Sequence, residues 1–141
     1  MSESKDLARR FYDEVFNAGE LDRVDELLTP DFVDHEEGPP GMPDGIEGVK
    51  AFVAMYREAF PDLRATVEEM VEEGDKIAVR TTFTGTHDGD FMGIPASGRT
   101  ISIQAMDVVR VVDGRAAEHW GVTDVMGLMQ QIGAIPQEAS A

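Results

Sequence analysis

The chain is 141 residues long, the usual size of one domain, and can bury most of the surface that its unfolded form exposes. Its 28 acidic residues against 12 basic ones give a formal net charge of -16, which repels phosphates and sets nucleic acid and anionic membranes aside as partners. With no cysteine at all, disulfides, thiolate metal sites and a cysteine nucleophile are excluded.

The opening MSESKDLARR is polar and lacks the apolar stretch of a signal peptide, and no apolar run spans a bilayer, so a soluble cytoplasmic protein is expected. The acids are spread along the whole chain and lysines number only three, Lys5, Lys50 and Lys76. This suits a salty cytoplasm, where screening shortens the Debye length to about 3 Å at 1 M; an ordinary acidic, soluble protein fits the composition equally well.

From Ser4 to Asn17, Leu7, Phe11 and Val15 recur at fourfold spacing with Ala8 and Tyr12 beside them, the stripe of an amphipathic helix that Gly19 ends. Leu21, Val24, Leu27 and Leu28 predict a second, short helix stopped by Thr29-Pro30, and Phe32 to His35 a brief extended segment. Three prolines and three glycines between Gly38 and Gly45 dictate a loop, a candidate lid over an opening. Helical spacing returns with Val49, Phe52, Val53, Tyr56 and Phe60, and Pro61 closes it.

The period then changes to two. Leu63, Ala65 and Val67 alternate with polar neighbours, and Lys76 to Thr86 and Arg99 to Val112 are long runs rich in β-branched residues. Asp113-Gly114 before Arg115 to Val122 is a strong hairpin signal. A last helix over Val125, Met126, Leu128, Met129 and Ile132 ends at Gly133. A long antiparallel sheet with one apolar face must be covered, and the N-terminal helices are the available cover. The fold class that follows is α+β: a curved antiparallel sheet wrapped around N-terminal helices, a cone with room for one ligand pocket. The core runs from about residue 5 to 133 in a single domain, with 134–141 a flexible tail.

The segments GTHDGDFMGIPASGR at 85–99, MDVVRVVDGRAAEHW at 106–120 and the tail VTDVMGLMQQIG resemble the SnoaL-like polyketide cyclases and related ester cyclases, within the nuclear transport factor 2-like fold. FYDEVFNAGELDRVDELLTPDFVDH and GIEGVKAFVAMYREAFPD match at corresponding places, so the likeness covers nearly everything from Lys5 to Gly133. It implies a cofactor-independent, intramolecular aldol-type ring closure of a hydrophobic polyketide ester, with a pocket aspartate as general acid/base. By that resemblance the aspartate is Asp124, and the chemistry lies at Glu118-His119-Trp120 and Asp124. A homodimer through the outer face of the sheet is also implied. Epoxide or ester hydrolysis, isomerisation, and a non-catalytic ligand carrier stay open beside ring closure.

Each site residue has a plainer reading too. Asp124 precedes an apolar-periodic segment, the preferred N-cap position. Trp120 is the only tryptophan and fits a pocket wall or a core; Glu118 shares its strand face and, if inward, must be paired, with Arg80 or Arg110 as partner. His35 leads into the lid-like loop and is placed as a second catalytic residue at the mouth; His87 sits in the 85–99 loop, touching substrate or tying the turn together. Asp107 interrupts the apolar face of Ile101, Ile103, Ala105 and Val109, and serves the pocket or a subunit contact. None of the three histidines stands at ligand spacing to another, so no metal is expected, and the absence of a Gly-rich phosphate loop argues against nucleotide cofactors.

Overall fold

The structure, a computed structural model, describes residues 2–36 and 38–135. Helix α1 (Glu3–Arg10) starts where the Ser2 hydroxyl accepts the Lys5 amide, with Glu3 and Asp6 in its first turn, both favourable at a helix N-terminus. It runs on into a π-helical stretch, Phe11–Asn17, in which the Ala18 amide reaches back five residues to the Asp13 carbonyl. The widened turn lets Phe11, Tyr12 and Phe16 pack ring against ring. Gly19, at φ +73°, ends the helix in the left-handed conformation that glycine adopts freely.

A 3₁₀ turn (Leu21–Arg23) and α2 (Val24–Leu27) give the predicted short helix. Strand β1 (Leu28–Asp34) starts earlier than expected and contains Pro30. Proline lacks the ladder donor, and its place here is an edge strand, where it is tolerated. After the 38–44 loop, α3 (Gly45–Ala59) buries Val49, Val53 and Tyr56. Four strands follow: β2 (Arg64–Glu73), β3 (Lys76–Thr86), β4 (Thr100–Val112) and β5 (Arg115–Thr123). The last helix, α4 (Val125–Gln131), is pinned to β4 by Gln131, whose side-chain amide bonds both main-chain groups of Ser102.

The sheet order is β1-β5-β4-β3-β2. The β2–β5 meander is antiparallel as predicted, whereas β1 joins β5 in parallel, a pairing that requires the long crossover through α3. Asp113 and Gly114 both have positive φ, 50° and 78°, as a two-residue type I′ hairpin turn demands. One irregularity matters later: the β4/β5 register slips between Val111↔Ala116 and Arg110↔Glu118, leaving Ala117 as an extra residue, a β-bulge.

One continuous core joins the helices to the inner face of the sheet through Val15, Leu27, Val53, Phe60, Ile77 and Val79, all essentially inaccessible to solvent. Truncating Leu27 to alanine in such packing costs about 2–5 kcal/mol. The expected cone of curved sheet over N-terminal helices is therefore the architecture observed. Of the tail expected at 134–141, residues 136–141 lie outside the described residues.

Candidate active site

Between the helices and the sheet lies a cavity of about 710 Å³. Phe11, Phe16, Phe32, Phe52 and Phe83 give it aromatic walls, and Gly38 to Asp44 of the proline-rich loop form another side. Its polar part is concentrated where the ends of β1 and β5 meet the middle of β4. There Asp107 occupies the inward-facing row after Ile101, Ile103 and Ala105 and is 8 % exposed.

A carboxylate buried so deeply must be satisfied. One oxygen of Asp107 (Oδ2) accepts the Tyr12 hydroxyl at 2.9 Å and the other (Oδ1) accepts His119 Nε2 at 2.7 Å. On the far side of the imidazole, Nδ1 donates to Asp34 Oδ1 at 2.7 Å. The same Asp34 oxygen accepts the Glu36 amide at 2.9 Å. Glu36 in turn accepts the Thr123 hydroxyl on Oε2, while its Oε1 stands 3.8 Å from His119 Nε2. One imidazole thus sits among three carboxyl groups.

Electrostatics follow from that count. Burial alone would lower the His119 pKa, but the hydrogen bonds and charges of Asp107 and Asp34 outweigh it and hold the ring cationic up to about 10. Burial and the neighbouring Asp107 charge push Glu36 above the usual carboxylate range, against the smaller opposing effects of His119 and the Thr123 hydroxyl. Burial, then Asp107, drives Tyr12 well above an ordinary phenol; it stays a hydrogen-bond donor. Glu36, Asp107 and His119 bring one ligand atom each within 4.8 Å of one another, the one metal-like grouping among the described residues. A cation there would have to displace the proton on Nε2 from an imidazole both of whose nitrogens already face carboxylates.

Of the residues singled out from sequence, Asp107 and His119 lie on the cavity wall and the others do not. Asp124 is exposed, and its Oδ1 accepts the Gly127 amide at 2.9 Å as the N-cap of α4; the expectation that it faces the cavity is corrected. Glu118 and Trp120 turn to the outer face of the sheet. There Glu118 takes Arg110 Nε at 2.6 Å and His35 Nε2 at 2.8 Å, and Trp120 stacks on His35 with ring centroids 4.9 Å apart. His35 therefore flanks the outside of the sheet instead of the pocket mouth. Arg80 pairs loosely with Glu69 on that side. His87 is completely buried, its Nδ1 accepting the Ser97 amide, and so ties the 87–98 loop together. The bulge at Ala117 is the physical cause for β5: it exchanges the two faces, so that His119, Gly121 and Thr123 point inward.

Sequence reasoning missed Tyr12, Asp34 and Glu36 as site residues, and it placed the chemistry on the Glu118-His119-Trp120 segment without showing that His119 is the member that faces the cavity. Tyr12 looked like one more member of an apolar stripe. Asp34 and Glu36 flank a segment with no periodicity to orient them. The parity of β5 was the one available signal, and the bulge inverts it.

A family profile described as SnoaL-like polyketide cyclase matches residues 6–132. The aklanonic acid methyl ester cyclase DauD of Streptomyces sp. (strain C5) is 33 % identical over 94 % of this chain and 83 % of its own length. The aklanonic acid methyl ester cyclase DnrD of Streptomyces peucetius is 32 % identical over 94 % and 92 %. Among solved structures, TsrD from Streptomyces laurentii superposes with a TM-score of 0.84 at 34 % identity, covering 94 % of this chain and 96 % of that one.

Proposed function

The chain belongs to the SnoaL-like polyketide cyclases, and from that membership we propose that it closes a carbon ring in a neutral polyketide ester by intramolecular aldol addition. The observation that carries the assignment of chemistry is the Asp107–His119 pair on the wall of an otherwise apolar cavity. Asp107 is the base that takes a proton from the carbon next to the ester carbonyl. The His119 imidazolium, held by Asp34, faces the resulting enolate with positive charge where negative charge develops, in a water-poor site that strengthens the attraction.

Charge argues for the ester over the free acid. Asp34, Glu36, Asp44 and Asp107 lie on the cavity wall and, among the described residues, no Lys or Arg does, so a substrate carboxylate would meet repulsion there with His119 as the counter-ion. The test uses the methyl ester of aklanonic acid, for which the relatives are named. Incubation converts it to a product of unchanged mass, and no oxygen from labelled water enters; incorporation of that oxygen would instead favour hydrolysis.

The outer face supports the expected homodimer. Val122, Met106 and Val71 are 73 %, 53 % and 58 % exposed there, and Met106 is the cross-strand partner of Val122. Apolar residues at that exposure suit a second copy of the chain; Val122→Lys converts dimer to monomer in sedimentation if this face pairs. We also infer a cytoplasmic protein working as one domain. An adaptation of its charge to salt would show as a melting temperature that rises between dilute and molar KCl.

A further inference from the structure

Ring closure by aldol addition needs two proton movements, one off carbon and one onto the acceptor ketone oxygen. Asp107 supplies the first. Its carboxylate is engaged by two donors, Tyr12 and His119. A second group is needed to deliver a proton as the new alkoxide forms.

We propose that Glu36 is that group, the general acid of the reaction, donating from Oε1 to the ketone oxygen. This rests on the cyclase reading above and deepens it. Three observations converge. Thr123 donates its hydroxyl to Oε2 at 3.0 Å, which fixes Oε2 as the acceptor oxygen and leaves Oε1 to carry a proton. Oε1 lies on the same bay as Asp107: a Cβ built on Gly121 would stand 2.5 Å from Glu36 Oε1 and 2.5 Å from Asp107 Oδ1. Only the missing side chain at Gly121 lets the two carboxyl groups approach one another. Glu36 also lines the cavity at the root of the proline-rich loop, where a ligand oxygen can reach it.

The protonation states separate for a physical reason. Glu36 faces Asp34 from its own segment, Asp107 from β4, and His119 and Thr123 from β5, with Tyr12 and Tyr56 within electrostatic reach. One imidazolium cannot offset three ionised carboxylates. Asp107 and Asp34 hold the two imidazole hydrogen bonds, and the third acid, which has neither of them, is pushed above the usual carboxylate range by burial and the Asp107 charge, toward carrying a proton. Two neighbouring carboxyl groups with different hydrogen-bond partners, Asp107 on Tyr12 and His119 and Glu36 on Thr123, can divide the roles of base and acid.

The step balances. Asp107 takes the carbon-bound proton, the enolate carbon bonds to the ketone carbon, the C=O π bond opens, and the oxygen takes the Glu36 proton to become a hydroxyl. Transfer from Asp107 to Glu36, directly or through solvent, restores the starting state.

The test separates the two movements with aklanonic acid methyl ester in D₂O, following deuterium exchange at the activated carbon and ring closure in parallel. E36Q keeps the Thr123 contact but has no transferable proton: exchange continues near the wild-type rate while closure falls on the order of 100-fold or more. D107N loses both. If E36Q melts like wild type yet exchange falls together with closure, or if closure is unchanged, Glu36 is not the acid. Should E36Q melt early, Thr123→Val is read instead, with closure alone reduced as support and an equal loss of exchange as refutation. A wild-type protein that neither exchanges nor closes contradicts the cyclase reading itself, and this one with it.

Discussion

The two faces of β5 carry nearly the same chemical parts one residue apart. Inside, His119 sits among Asp34, Asp107 and Glu36; outside, His35 sits against Glu118, with Arg110 and Trp120 beside them. The inner imidazole has a side chain 18 % exposed and the outer one 41 %. Outside, the hydrogen bonds of His35 and then Arg110 hold Glu118 below its usual carboxylate range, and solvent screens what remains. Inside, an apolar wall and a single cation leave the acids to compete, which raises His119 and Glu36. Composition alone does not make a proton-transfer site; burial with unequal sharing of one positive charge does.

The sharpest way to break that comparison is to neutralise one acid on each face. D107N is expected to lower turnover of aklanonic acid methyl ester by about 10²–10⁴-fold, the range associated with a positioned base. E118Q, which touches only the outer cluster, should leave turnover unchanged. Equal losses would mean that the faces are not chemically distinct.

A smaller effect is expected from Gly121→Ala. Its Cβ would press on Asp107, Glu36 and the His119 ring at once, so turnover falls and stability drops by about 1–3 kcal/mol, the usual range for overpacking. Denaturant titration measures the second. Tyr12→Phe removes the hydroxyl from Asp107 Oδ2 and costs about 1.5–3 kcal/mol, the range for a hydrogen bond to a charged group. Disrupting the outer pair by His35→Ala should cost less than about 1 kcal/mol, because both partners reach solvent.

These two faces also show what the sequence could convey. Periodicity placed the helices at Leu7–Val15 and Val49–Phe60 and the strands from Leu63 onward, since each element buries a single stripe against a common core. It also marked Asp107 as an acid on an apolar face. The face of β5 was not legible. In a regular two-residue hairpin with Val112 opposite Arg115, Asp107 would stand opposite Trp120; the extra Ala117 shifts it opposite Gly121 and brings His119 inward. Nothing in RAAEHW announces that shift, because either parity leaves a plausible half-polar face. Asp124 illustrates a different loss. Its two roles share one local pattern, and only the position of α4 outside the cavity shows that capping is the one realised. Asp34 and Glu36 depend on the parallel pairing of β1 with β5, a contact between segments more than eighty residues apart.

The charge state of His119 tests the account most directly. A pKa raised in the folded state contributes stability that is complete below the unfolded value near 6.5 and is lost as pH rises through about 10. An imidazole titration followed by nitrogen NMR is predicted to show one histidine still protonated at pH 8, titrating near 10 and moving downward in D107N. If every histidine instead titrates near 6.5 in the wild type, no cation shares the cavity with Asp107, and the proposed division into base, cation and acid is wrong.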